Sequence, residues 1–219
     1  MAYSDVTPDQ TPLLLTVPGL DNSGPTHWQT HWERDYEHCA RVDLGLWDRP
    51  NRNAWVTKLN LAIHDAGRPV VLVAHSLGCL AVAWWAAMEK PRYGDPVVGA
   101  LLVAPPEVDI APIDERLASF GPAPLAALPF PSIVAASMDD PYIAQHRARR
   151  LSQFWGSQFA DAGNVGHINA ESGLGDWSFG QFLLRLLIGT QDSALHSGQS
   201  AVDFGASQTA PQRIHDLTN

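Results

Sequence analysis

Between residues 70 and 88 the chain reads Val-Val-Leu-Val-Ala, then His75-Ser76-Leu77-Gly78, then an apolar run through Met88. The first part is too short for a stable helix and too apolar for a strand with one wet face. It predicts a parallel strand covered on both sides. The second part, from Leu77 to Met88, is apolar all round and predicts a fully buried helix. The whole stretch resembles a membrane span in length, but the central tetrapeptide would place polar groups at mid-bilayer. Strand, tight turn and buried helix is therefore the expectation, and such a unit needs a parallel sheet layered between helices.

The rest of the chain alternates in the same way. Strands are expected at 13–17, 97–103 and 133–136, each a short run rich in Val, Ile, Leu or Ala, with a weaker one at 40–44 and a short last one at 158–161. Ser23-Gly24-Pro25 is expected to open a helix in which Trp28, Trp32 and Tyr36 share a face. A turn at 47–51 precedes a helix aligning Trp55, Leu59 and Ile63, and further helices are expected at 141–155 and 177–188. With 219 residues and 45% apolar content, the chain suffices for one well-buried domain. The predicted fold class is α/β: a single domain, 11–189, with a roughly six-stranded, mostly parallel sheet and helices on both faces. Residues 1–10 are an N-terminal extension. Residues 104–131 hold seven of the 17 prolines, which predicts an irregular, cap-like segment with a short helix near 114–119. From residue 190 on, Ser, Gln, Asp, Thr and Ala dominate, and the scattered Val202, Phe204 and Ile214 predict a mobile tail, 190–219.

Charge narrows the choice of partner. Fourteen basic against 23 acidic residues leave a formal net charge of −9, so the footprint for phosphate backbones or anionic lipid is missing, and neither nucleic acid nor membrane is expected as a partner. Cys39 and Cys79 are too few for a disulfide framework or a zinc cage; no metal and no cofactor is expected, and a reducing compartment fits. The first residues show no basic region followed by an apolar one, so a cytoplasmic address is expected. Oligomeric state is left open, a homodimer included.

The turn at Ala74-His75-Ser76-Leu77-Gly78 has the context of a nucleophile elbow, where a strained strand-to-helix turn projects a serine hydroxyl. Small residues are required two before and two after the serine, and Ala74 and Gly78 meet that need. The simpler reading makes Ser76 a helix N-cap. A serine hydroxyl needs an imidazole base and a carboxylate that orients it. Of the four histidines after Ser76, His196 and His215 fall in the expected tail, and His146 lies among arginines on a helix. His167, in the Gly166-His167-Ile168-Asn169 loop after the last strand, is the candidate base. The acid should follow the preceding strand, where Asp139 and Asp140 compete; Asp140 before Pro141 also reads as a helix N-cap. An oxyanion hole needs two backbone N–H donors, expected from Leu77 and from Leu20 in the loop after the first strand, with Asp21 as the fallback.

Val17-Pro18-Gly19, His27-Trp28, Ala74-His75-Ser76-Leu77-Gly78, Asp139-Asp140-Pro141 and Gly166-His167 together resemble the small YdeN-like serine hydrolases, relatives of retinoblastoma-binding protein 9. The resemblance covers residues 12–188. It implies a compact α/β-hydrolase with Ser76, Asp140 and His167 as catalytic residues, because the family's triad aspartate directly precedes proline. It implies cleavage of an ester, thioester or activated amide in a small acyl-containing substrate. Two other readings keep the fold: a protein-binding module with a silent triad, and an acyltransferase using the same residues.

Three further features are weighed on their residues alone. His27 and His31 have the i, i+4 spacing of metal ligands but lack the accompanying Glu-x-x-His, so a polar helix face is the expectation. Trp47 and the Pro-rich segment are candidates to wall an acyl pocket, against plain core packing. Cys79, one turn beyond Ser76 on a buried helix, is expected to pack rather than react.

Overall fold

The computed structural model describes residues 11–199. Six strands, β1 (Leu13–Val17), β2 (Cys39–Arg41), β3 (Val70–His75), β4 (Val97–Val103), β5 (Ser132–Ala136) and β6 (Gln158–Asp161), form one sheet in the order β2-β1-β3-β4-β5-β6. Every pairing within it is parallel. The helices are α1 (Trp28–Asp35), α2 (Arg52–Asp65), α3 (Leu77–Glu89), α4 (Gln145–Trp155) and α5 (Ser178–Gln199), with short 3-10 turns at Glu115–Phe120 and Ala170–Ser172. None of the helices among the described residues is long and apolar enough to cross a membrane.

β3 carries the alternation that builds both layers. Val70, Leu72 and Ala74 pack with Trp55, Leu80 and Trp85 of α2 and α3, while Val71 and Val73 pack with Trp28, Trp32 and Leu184 of α1 and α5. All six residues of β3 are buried, which is why the strand is apolar without a polar phase until His75. β1 leads to β2 on one side and β3 leads to β4 on the other. The chain therefore diverges above the carboxyl ends of β1 and β3, where parallel sheets of this order open a crevice.

Several local expectations change. α1 begins at Trp28, not at Ser23-Gly24-Pro25, because His27 supplies the cap: its Nδ1 accepts the Gln29 amide at 3.1 Å. The second strand sits at Cys39–Arg41, earlier and shorter than 40–44. α4 starts at Gln145 rather than 141, because the Asp140 carboxylate accepts the Tyr142 amide at 2.8 Å and holds a separate turn there; Asp140 is not a helix N-cap. α5 runs to Gln199 instead of ending at Ile188, through a stretch with no proline to stop it. Residues 190–199 of the expected tail are thus helical. The extension 1–10 and the rest of the expected tail, 200–219, lie outside the described residues.

The Pro-rich segment is irregular apart from its 3-10 turn, and it is tied to the domain on three sides. Trp84 Nε1 donates to the Phe120 carbonyl at 2.7 Å, Trp155 Nε1 to that of Pro124 at 2.8 Å, and Arg147 pairs with Glu107. Arg116 reaches both carboxylate oxygens of Asp21, at 2.9 and 3.1 Å, so the segment also meets the loop after β1.

Candidate active site

Ser76 lies between β3 and α3 with φ 52° and ψ −126°, a conformation that a residue with a side chain adopts only under tertiary constraint. The constraint is visible on both sides. Ser76 donates its backbone N–H to the Val103 carbonyl at 2.8 Å, which continues the sheet ladder into the turn. Beyond it, an added Cβ on Gly78 would stand 2.1 Å from the Val17 carbonyl oxygen, and one on Gly19 would stand 2.7 Å from the Ser76 Cβ. The small residue two after the serine is required by the end of β1, whose Val17 and Pro18 backbone presses on the start of α3. Ser76 makes no side-chain cap bond to α3, so the N-cap reading falls away.

The structure brings Ser76, His167 and Asp140 together. Ser76 Oγ is 2.8 Å from His167 Nε2, and His167 Nδ1 is 2.9 Å from each oxygen of Asp140. All three residues are buried. Asp139 points elsewhere: its Oδ1 accepts from the Ser137 hydroxyl at 2.6 Å and the Gly166 amide at 2.8 Å, and these bonds hold its carboxyl below the usual range. The neighbouring carboxylates thus divide the work on one loop, Asp140 meeting the imidazole and Asp139 anchoring the backbone just before it.

Further groups hold His167, and the sequence reading missed their roles. His75 Nε2 donates to the His167 carbonyl at 2.9 Å, and Trp28 Nε1 donates to the Ile168 carbonyl at 2.8 Å. Tyr142 stacks on the imidazole, with ring centroids 4.1 Å apart and planes 29° from parallel. Burial, with the neighbouring imidazoles of His27 and His167, pushes the His75 pKa well down, which keeps the ring neutral with its proton on Nε2. His75 stands inside the elbow and Tyr142 follows the Asp-Pro pair, so their positions in the chain were the available signal. Their contacts were not.

Above Ser76 is a cavity of about 290 Å³ lined by Leu20, His27, Leu117, Tyr142 and His167 among others, with Asp21 and Glu171 at its polar side. Leu117 is the contribution of the Pro-rich segment. Trp47 is not among the lining residues; it packs edge-on against Trp55 at 5.6 Å. The Asp21 amide, the fallback oxyanion donor expected from the sequence, donates to the Trp47 carbonyl at 3.0 Å. Cys79 is fully buried, its thiol donates to the Val103 carbonyl at 3.3 Å, and burial raises its pKa, as suits a packing role.

His27 and His31 do not converge on a metal. His31 Nδ1 meets Asp176 at 2.8 Å, while His27 is buried at the start of α1 and faces the cavity, which corrects the expectation of a polar helix face. The i, i+4 spacing misled because His27 precedes the first helical residue, so the two side chains do not lie on one helix face.

A family model described as serine hydrolase matches residues 14–186. Among solved structures, a YdeN-like protein of Pectobacterium atrosepticum is 32% identical with a TM-score of 0.73, covering 83% of this chain and 93% of its own. The ydeN gene product of Bacillus subtilis is 19% identical with a TM-score of 0.68, covering 82% of this chain and 100% of its own. The carboxylesterase CesB of the same organism, at 14% identity, shares the fold with a TM-score of 0.58 over 83% of this chain and 85% of its own. No curated protein matches in sequence.

Proposed function

This chain belongs to the serine hydrolase family, and on that premise we propose that it cleaves an ester, thioester or activated amide through an acyl-enzyme on Ser76. The observation that carries the reading is the hydrogen-bonded series from Ser76 Oγ through His167 to Asp140, at 2.8 and 2.9 Å. Asp140 accepts a hydrogen bond from His167 Nδ1–H and so keeps the lone pair of Nε2 toward the serine. Ser76 Oγ attacks the acyl carbon as its proton passes to Nε2; the bond to the leaving group then breaks as Nε2 returns that proton to it. Water repeats the two transfers and frees the acid. The negative charge of each tetrahedral intermediate falls to the amides of Leu20 and Leu77, and no step calls for a metal or cofactor.

The size of the cavity supports a small acyl substrate over a long-chain one. The intact series also favours an enzyme over a binding module with a silent triad. A fluorophosphonate probe tests this directly. It is expected to label Ser76 alone, and Ser76→Ala is expected to abolish both labelling and hydrolysis of p-nitrophenyl esters. Labelling or turnover that survives the substitution overturns the assignment, and a folded protein that neither labels nor hydrolyses any ester returns the question to the binding module.

A further inference from the structure

The loop from β1 to α1 passes through Asp21 at φ 59° and Asn22 at φ 63°, two successive left-handed residues that are not glycine. Such a pair persists only where its surroundings fix it. At its start the loop lies on the elbow: a Cβ added to Gly19 would stand 3.0 Å from the Leu77 nitrogen, and Leu20 comes next, lining the cavity with Ser76. Further on the loop is gripped by Arg41, the last residue of β2. Arg41 Nη1 donates to Asn22 Oδ1 at 3.1 Å and to the Ser23 carbonyl at 2.8 Å. Its Nη2 donates to Thr30 Oγ1 at 2.6 Å, its Nε donates to Glu33 at 2.9 Å, and Nη2 also pairs with that carboxylate at 2.8 Å. Glu33 in turn accepts the hydroxyl of Thr16, which stands beside Arg41 across β1 and β2, and Thr30 donates to the Gly24 carbonyl at 2.8 Å. One guanidinium therefore ties the left-handed loop to both α1 and the sheet. Arg41 itself is not among the residues that line the cavity.

We infer that Arg41 is a positioning residue for the oxyanion hole: by fixing Asn22 and Ser23 against α1, it holds the Leu20 amide where charge develops on the substrate. This rests on the acyl-enzyme reading above, in which the amides of Leu20 and Leu77 take the oxyanion. A planar guanidinium suits the task because its fork fixes several acceptors at once, which the point charge of a lysine does not. Displacing an oxyanion donor weakens the transition state far more than the bound ester, so Arg41 acts on the rate of acyl transfer and not on substrate binding.

Rapid mixing with p-nitrophenyl acetate separates the dissociation constant of the ester from the acylation rate, and fluorophosphonate titration of Ser76 counts the competent sites. Butylboronic acid adds a third readout, because its adduct with Ser76 Oγ is a tetrahedral anion that needs the same amides as the transition state. In Arg41→Gln the acylation rate per labelled site is expected to fall about thirtyfold and the boronate inhibition constant to rise in parallel, while the ester's dissociation constant stays within about twofold. Arg41→Lys is expected to remain at least about fivefold below wild type in both readouts, and full recovery by lysine overturns the role given to the fork. A merely structural role lowers the urea midpoint or the number of labelled sites and leaves rate and boronate affinity per site unchanged. That result overturns the inference, as does a loss confined to the ester's dissociation constant. Should Arg41→Gln fail to fold, Thr30→Val is isosteric, lies outside the cavity and removes an acceptor of Arg41 together with a bond to the loop. It is expected to show the same paired change at about threefold, within the range for a slightly displaced donor, and unchanged values overturn the inference. A wild type that neither labels nor acylates refutes the acyl-enzyme reading, whereas a competent wild type beside unaltered variants refutes this inference alone.

Discussion

Asp139 and Asp140 are chemically the same and adjacent, yet the geometry assigns them different tasks. Asp140 offers both oxygens to His167 Nδ1 and is additionally bonded to the Tyr142 amide. Asp140→Asn keeps the shape but favours the wrong imidazole tautomer, so a loss on the order of 10⁴ in kcat is expected, by the serine-protease precedent. Asp139→Asn retains an oxygen for the Ser137 hydroxyl and the Gly166 amide, and is expected to keep kcat within about tenfold of wild type, far from the loss that precedent sets for the triad acid. Steady-state kinetics on one p-nitrophenyl ester decides between them, and the reverse ranking would make Asp139 the orienting acid. In the sequence the two compete, and the resemblance, together with the backbone restriction that Pro141 imposes on the residue before it, favours Asp140. Neighbouring side chains on an extended segment diverge, so their targets depend on where the loop carrying His167 lies.

At the scale of elements, the strand-turn-helix unit of β3 and α3 is wedged against the end of β1. Gly78→Ala would place a Cβ 2.1 Å from the Val17 carbonyl oxygen, an overlap between backbone and a rigid methyl that no rotamer relieves. The expected outcome is a destabilisation of about 3 kcal/mol or more, at the upper end for overpacking, read as a lower urea midpoint. Esterase activity should fall as well, since the relief must come from moving either the elbow or the loop that carries Leu20. A Gly78→Ala variant with wild-type midpoint and rate would show that the contact between β1 and α3 is loose. The apolar run from Val70 to Met88 announced the elements; β3 is buried throughout, whereas the expected fully buried helix is partly exposed at Trp84 and Ala87 and opens to solvent at Met88. The α4 start did not follow from the chain pattern, because a carboxylate bonded to Tyr142 converts the first turn of an expected helix into a separate loop.

For the whole molecule, two buried imidazoles make stability depend on pH. His27 and His75 are held neutral by burial, His27 down to about 3 against an ordinary value of 6.5, and His75 well below it. Unfolding frees both to take up a proton as soon as the pH drops beneath about 6.5, whereas the folded chain keeps them unprotonated. Between those limits the unfolded state binds more protons, so stability is complete above the ordinary value and is lost as pH falls, by roughly 1.4 kcal/mol per pH unit for each histidine. Urea unfolding at pH 7.5, 6 and 5 should show the midpoint falling over that interval. His27→Asn should shallow the slope by removing one of the two protons, and a midpoint independent of pH from 7.5 to 5 would rule out the linkage.

The sequence by itself determined the layered architecture, because strand and helix periods, chain breakers and one long apolar unit are local properties that leave few topologies for 219 residues. It also singled out Ser76, His167 and the Asp139-Asp140 pair, since a nucleophile elbow and loops at strand ends have recognisable local chemistry. What only the tertiary structure decided is how groups distant in the chain meet. His75 and Trp28 grip the carbonyls of residues 167 and 168, Tyr142 stacks on the imidazole, and His27 turns from an apparent surface residue into a buried donor with one nitrogen left over. The reason is physical: a histidine's tautomer, burial and partners are set by the elements that close around it, and at His27 those are a helix start, a neighbouring elbow and a loop some 140 residues downstream, within reach only once the sheet has brought the ends of β1 and β3 side by side.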